Sequence, residues 1–240
     1  MEIFIGEEKA CDQRAIQEVI NQIKNKPASV LGLATGSTPE GVYRELIDKY
    51  QSGEICFSDI TTFNLDEYIG IPNDHECSYN YYMNNKLFKH INIQPGAVNL
   101  PNGNAIDIDR ECEDYDQKIR ENGGIDLQIL GIGHNGHIAF NEPGTPFEST
   151  THVVDLAEST IKANSRFFDS PDQVPRQAIT MGIKSIMQAR RIILIAKGKG
   201  KASIMYKALK GPVTPEVPAS VIQHHPNILV ILDNEAASKL

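Results

Sequence analysis

Six short apolar runs limit how this chain can fold. They are Ile3–Ile5, Ser29–Ala34 (SVLGLA), Ile60–Asn64 (ITTFN), Ile125–Leu130 (IDLQIL), Arg191–Lys197 (RIILIAK) and Asn227–Asp233 (NILVILD). None reads as a helix: Ile3–Ile5, ITTFN and RIILIAK read as strands, and SVLGLA, IDLQIL and NILVILD as buried strands. Between the runs the period changes. Ile16, Val19, Ile20 and Ile23 fall at i, i+3, i+4 and i+7 in a helix expected over Ala10–Asn25, which Pro27 closes. Tyr43, Leu46, Ile47 and Tyr50 repeat that spacing. Either Ser37 caps this second helix with Glu40 as its capping-box partner, or Thr38 caps it with Pro39 at the first helical position. Further helices are expected from Ser78 to about His90, over Ile106–Asn122, Gln177–Met187 and Gly200–Leu209, with a short strand at Thr151–Asp155. Pro95–Asn104 is turn-rich. Ser159–Pro175 is polar with little periodicity, which suits a mobile flap at about 155–175.

Strands that alternate with helices across short loops give an α/β fold, an open, mostly parallel sheet with helices on both faces. No repeat, low-complexity tract or linker breaks the pattern, so a single domain over residues 1–240 is the simplest organisation.

Charge and cysteine usage narrow the function. The formal net charge is −8, and no basic stripe marks a nucleic-acid surface. No run approaches the ~18 apolar residues of a membrane span, and Met1–Ile5 has no basic leader. Cys11, Cys56, Cys77 and Cys112 are scattered without a C-x-x-C pair, as expected of reduced thiols in a cytoplasmic protein. An acidic chain can still bind a phosphorylated small molecule through a local cluster of donors.

Four segments carry candidate chemistry. After the Ile125–Leu130 run come Gly131, Gly133 and Gly136, with His134, Asn135, His137, Asn141 and Glu142 among them and Pro143-Gly144 at the close. Glycines let the backbone turn sharply beyond a strand end, where α/β sheets place their ligands. An imidazole, a carboxylate and two amides crowded there form a candidate reaction site. Thr35-Gly36-Ser37-Thr38 lies between a strand and a helix, where backbone N–H groups and the helix dipole suit a phosphate. It fits neither a Walker A loop nor G-x-G-x-x-G, so no nucleotide cofactor is indicated. Asn64-Leu65-Asp66-Glu67-Tyr68 sets two carboxylates at a strand end, one of them a candidate general base. Lys201 opens the helix after Gly198-Lys199-Gly200, where it suits a phosphate. His134 and His137 with Glu142 match no standard zinc spacing, and no metal is expected.

Together, LGLATGSTP (Leu31–Pro39), TTFNLDEYIG (Thr61–Gly70), SYNYYM (Ser78–Met83), LPNGNA (Leu100–Ala105), GIGHNGHIAFNEP (Gly131–Pro143) and NSRFF (Asn164–Phe168) resemble the glucosamine-6-phosphate deaminase (glucosamine/galactosamine-6-phosphate isomerase) family. The resemblance implies a modified Rossmann-like fold without a nucleotide. It also implies conversion of glucosamine 6-phosphate and water to fructose 6-phosphate and ammonia, with no metal. It assigns ring opening to His137, oriented by Glu142 and Asn135, and abstraction of the C2 proton to Asp66. It gives the phosphate to Thr35, Gly36, Ser37, Thr38, Arg166 and Lys201, with Arg166 on the flap. Many members carry Asp where this chain has Asn135; an amide lacks the charge but can orient the ring by a hydrogen bond. The allosteric branch binds an activator through basic and hydroxyl residues just after the site. Thr145, His152, Val154 and Asp155 stand there in this chain, which implies the short, non-allosteric type, a monomer or small homo-oligomer. Two rivals are a 6-phosphogluconolactonase-like hydrolase, which needs no C2 base, and a non-catalytic sugar-phosphate sensor. A sensor would normally carry a DNA-binding segment and lack the full acid/base set.

Overall fold

The computed structural model describes residues 1–168 and 170–240, with no side chain described for Ala163, Phe167 and Pro171. The flap expected at about 155–175 therefore includes one position, Asp169, outside the described residues. In chain order the elements are β1 (Glu2–Gly6), α1 (Glu8–Asn25), β2 (Val30–Leu33), α2 (Glu40–Gln51), β3 (Thr61–Asn64), β4 (Asp66–Tyr68), α3 (Tyr79–Lys86), β5 (Val98–Asn99), α4 (Ile108–Glu121), β6 (Leu127–Leu130), β7 (His152–Asp155), α5 (Glu158–Asn164), β8 (Gln177–Thr180), α6 (Ile183–Met187), β9 (Arg191–Ala196), α7 (Ala202–Lys210) and β10 (Ile228–Asp233).

The six apolar runs all become strands of one seven-stranded sheet ordered β1-β10-β9-β6-β2-β3-β5, in which every neighbouring pair is parallel. Every residue of β2 and β6 is buried, as expected of strands covered on two faces. The steps β1→β2→β3→β5 move one way across this order, and β5→β6→β9→β10 move back. With right-handed crossovers, α1, α2 and α3 cover one face and α4, α6 and α7 the other. The packing of α1 on α2 and of α2 on α3 agrees.

The reversal fixes the site. β2 and β6 are neighbours, yet the chain leaves β2 toward one face and β6 toward the other. Their following loops must diverge, and the crevice opens between them at the carboxyl ends of the strands. Those loops are Ala34–Pro39 and Gly131–Gly144, the two richest in candidate site residues.

A second sheet, β4-β8-β7, is antiparallel and pairs Asp66 with Thr180 and Thr180 with His152. It has its own small core of Tyr68, Phe140, Leu156, Ile161, Val174 and Ala178. Here the sequence expectations need correction. The helix expected over Gln177–Met187 exists only from Ile183. Residues 177–180 pair with β4 and β7, and Met181 N–H donates to Leu65 O at 2.6 Å. A Cβ on Gly182 would lie 2.0 Å from Thr150 O, so the chain crosses there without a side chain. Tertiary pairing overrides helix propensity. The stretch read as aperiodic, 159–175, contains α5. The helix from Ser78 ends at Lys86 and passes into a 3-10 turn at Phe88–His90. The turn-rich Pro95–Asn104 segment holds the two-residue edge strand β5. Ser78 does cap α3, accepting Tyr81 N–H at 3.0 Å. Neither cap proposed for α2 forms: Pro39 is the N-cap, with no side-chain hydrogen bond, and Ser37 and Thr38 face the crevice instead.

Candidate active site

A cleft of about 620 Å³ lies at the switch point between the β2 and β6 loops. Thr35, Gly36, Ser37, Thr38, Asp66, Asn135, His137, Arg166 and Lys201 all line it. Of the ten residues to which the family resemblance gives a role, Glu142 alone stands off the wall, directly behind Asn135 and His137.

The β2 loop is held by its carbonyl groups. Tyr43 Oη donates to Ala34 O, Tyr82 Oη donates to Gly36 O at 2.6 Å, and Asn64 Nδ2 donates to Leu33 O at 3.3 Å. Gly36 takes φ +93°, a left-handed turn that favours glycine. With the carbonyls tied down, the N–H groups of Thr35, Gly36, Ser37 and Thr38 donate to no acceptor among the described residues. Lys201 faces them at the start of α7, its Nζ donating to Ile132 O at 2.7 Å. Burial, and then the nearby Arg166 guanidinium, lower the Lys201 pKa to about 8. Two neighbouring cations beside these backbone N–H groups make an arrangement whose chemistry suits a dianion. His134 stands beside it, its pKa lowered chiefly by the charge of Lys201.

On the opposite wall, β4 emerges from the end of β3 through buried Leu65 and places Asp66 6% exposed, with no hydrogen bond to its carboxylate among the described residues. Burial, then the charge of Glu67, push the Asp66 pKa up to about 8. Glu67 points the other way. It accepts the N–H groups of Tyr68, Tyr79 and Asn80, each at 2.9 Å, and so caps α3 together with Ser78. The DEY motif therefore divides its work: one carboxylate anchors a helix and the other faces the cleft.

The β6 loop supplies the imidazole. Gly133 leaves room for the imidazole, since a Cβ there would lie 2.2 Å from His137 Nε2 and displace the ring. Ala139 adopts φ +52° in the tight turn that pairs Ile138 with Asn141. Such backbone strain in a non-glycine residue costs about 1–3 kcal/mol and concentrates at working sites. Behind the ring, Glu142 Oε2 accepts Asn135 Nδ2 and lies 3.4 Å from His137 Nδ1, an ion-pair separation. Oε1 accepts the Thr160 hydroxyl from α5. Burial raises the Glu142 pKa, but the adjacent His137 imidazole and the hydrogen bonds from Thr160 and Asn135 outweigh it and hold the carboxyl at about 2. Asn135 does not touch the imidazole as expected; its Oδ1 accepts the His137 backbone N–H at 3.2 Å. Asn141 is structural: its Nδ2 donates to Ile138 O and Met181 O.

Several cleft residues escaped the sequence reading. Tyr68 packs against Tyr79, Phe140 and Phe168, with ring centroids 5.0, 5.6 and 5.8 Å away, and its hydroxyl accepts Asn164 Nδ2 at 2.8 Å. Burial pushes the Tyr68 pKa up to about 12, so its hydroxyl stays neutral. Thr160 and Asn164 are one turn apart on α5, which explains their common direction. Among the described residues no group of three or more His, Cys, Asp or Glu is placed to hold a metal ion. Among the described residues no helix is long and apolar enough to cross a membrane.

The fold is that of a doubly wound α/β protein, with a switch-point cleft lined by the β2 loop, Asp66, His137, Arg166 and Lys201. The family model described as glucosamine-6-phosphate isomerases/6-phosphogluconolactonase matches residues 8–230, and the chain belongs to that family. It is 54% identical to a glucosamine-6-phosphate deaminase of Halothermothrix orenii, covering all of both chains. It is 56% identical to one of Clostridium novyi over 95% of each chain. A solved structure described as a monomeric glucosamine-6-phosphate deaminase superposes with TM-score 0.98 and 47% identity, covering all of both chains. The 6-phosphogluconolactonase of Thermotoga maritima, at TM-score 0.77 and 22% identity, shares the fold.

Proposed function

We propose that this chain is a glucosamine-6-phosphate deaminase, an enzyme that converts glucosamine 6-phosphate and water to fructose 6-phosphate and ammonia. The observation that carries this reading is the pairing, across one cleft, of the buried Asp66 carboxyl with the His137–Glu142 pair. A lactonase needs no base at C2, and a sensor needs neither group. The full-length relatives at 54% and 56% identity support the same activity.

The residues divide the steps as follows. The phosphate enters the amides of residues 35–38 between Lys201 and Arg166, which fixes the sugar against the other wall. His137 moves the proton of the anomeric hydroxyl to the ring oxygen, opening the pyranose. Glu142, ionised at about 2, supplies the negative charge that Asn135 lacks, so the amide in place of an acid leaves the site competent. Asp66 then takes the C2 proton and returns it to C1. The electron pair passes through an enolamine to a C2 imine, which water hydrolyses with loss of ammonia. A carboxyl with a pKa of about 8 is a far stronger base than one in water. It is mostly protonated at neutral pH, so the base is the ionised minority that the cationic cradle and the substrate's amine favour. The test is release of ammonia and fructose 6-phosphate from glucosamine 6-phosphate by the purified chain; lactone hydrolysis without ammonia, or binding without turnover, would support the rivals. The whole chain works as one domain, in the cytoplasm, as a monomer like its solved neighbour.

A further inference from the structure

Glu142 is held from two directions, and one of them is the flap. Oε2 faces the β6 loop, where Asn135 and His137 sit. Oε1 accepts the hydroxyl of Thr160, which is 4% exposed on α5. Four residues later on the same helix, Asn164 donates to the Tyr68 hydroxyl at 2.8 Å. Arg166 follows within the 3-10 turn Ser165–Phe167, on the cleft wall beside Lys201. One short stretch thus contacts the carboxylate behind the imidazole and leads directly into the arginine on the cleft wall.

We propose that Thr160 is a positioning residue for ring opening. Its hydroxyl fixes the rotamer and charge of Glu142, and through Glu142 the orientation of the His137 ring. Because α5 also carries the approach to Arg166, seating of the phosphate and alignment of the imidazole become one event. An exposed pair would gain little from this hydrogen bond. Here the hydroxyl is buried and the acceptor charged, where removing a donor costs about 10–100-fold in an equilibrium or rate. The inference rests on the deaminase reading for its kinetic part and on geometry for the rest.

The experiment compares wild type with T160V, which keeps the shape and removes the donor, and with T160S, which restores it. Wild-type turnover of glucosamine 6-phosphate is measured first; its absence overturns the deaminase reading, not the Thr160–Glu142 contact. The expected result is kcat lowered about 10–100-fold in T160V with KM within about threefold of wild type. T160S returns to within about threefold. Glu142 titrates higher in T160V, because its ionised form has lost a hydrogen bond. Carboxyl-carbon NMR of Glu142 reads the same upward shift without any turnover. A wild-type kcat and a wild-type Glu142 titration in T160V would overturn the inference, and so would T160S as impaired as T160V, which assigns the effect to packing. Should T160V not accumulate folded, T160A replaces it, with the same two outcomes.

Discussion

Replacing Asp66 by asparagine should make the free protein more stable while abolishing its chemistry, and the gain should grow with pH. The burial that makes Asp66 a strong base opposes its ionisation. Its folded pKa is about 8 against an ordinary 3.8. The folded state therefore holds the proton more tightly than the unfolded chain. That contribution is fully present below 3.8 and is lost as pH rises through about 8. Between those limits the wild type loses up to about 1.4 kcal/mol per pH unit, relative to a side chain that cannot ionise. Integrated, the penalty is about 2 kcal/mol at pH 5, about 4 at pH 7 and about 5–6 at pH 9. An asparagine amide adds a term for its own unpaired N–H groups, but that term does not vary with pH. The pH slope is thus the diagnostic. Urea unfolding of both proteins without ligand, at pH 5, 7 and 9, measures it. Parallel stability profiles for wild type and D66N would refute the reasoning, because they would mean that Asp66 ionises freely in the folded cleft.

Three further outcomes follow from the same geometry. Lys201→Met should raise KM for glucosamine 6-phosphate about 10–100-fold with a smaller effect on kcat. In the wild type, KM should climb as pH passes about 8, where free Lys201 loses its proton, and steady-state kinetics of K201M should show that climb removed. Gly133→Ala drives a methyl into the His137 ring, so kcat should fall at least about 10²-fold while circular dichroism stays native; an active G133A variant would mean the ring is not held where it is seen. N-acetylglucosamine 6-phosphate should leave the rate curve unchanged, since Thr145, His152, Val154 and Asp155 offer no cationic site; a sigmoidal curve made hyperbolic by that compound would contradict this.

The large sheet was legible because its inner strands are buried on both faces, so burial is written into consecutive residues of those runs; the edge strand β1 is largely exposed and the edge strand β5 carried no run. The loops after β2 and β6 were legible for a related reason: glycines and polar side chains follow directly on strand ends. The small sheet was not. Residues 177–180 are short and carry no period of their own, and they become β8 only because Asp66–Tyr68 and His152–Asp155 flank them. The separation of Asp66 from Glu67 was equally hidden, since adjacent residues of a strand point to opposite sides, and which side faces the cleft depends on that pairing. Thr160 gave no signal, and Asn164 only a place in the NSRFF segment without a role, because their partners, Glu142 and Tyr68, are 18 and 96 residues away. Asn135 was read as a partner of the imidazole ring and proved to hold the backbone and Glu142 instead, a distinction that only coordinates reveal.

The most direct test of the central claim is ammonia release coupled to fructose 6-phosphate formation from glucosamine 6-phosphate, wild type against D66N. The account predicts an active wild type and a variant slowed about 10²–10⁴-fold, the usual share of a general base. A variant that keeps the wild-type rate would leave the reaction in place and take the C2 proton away from Asp66.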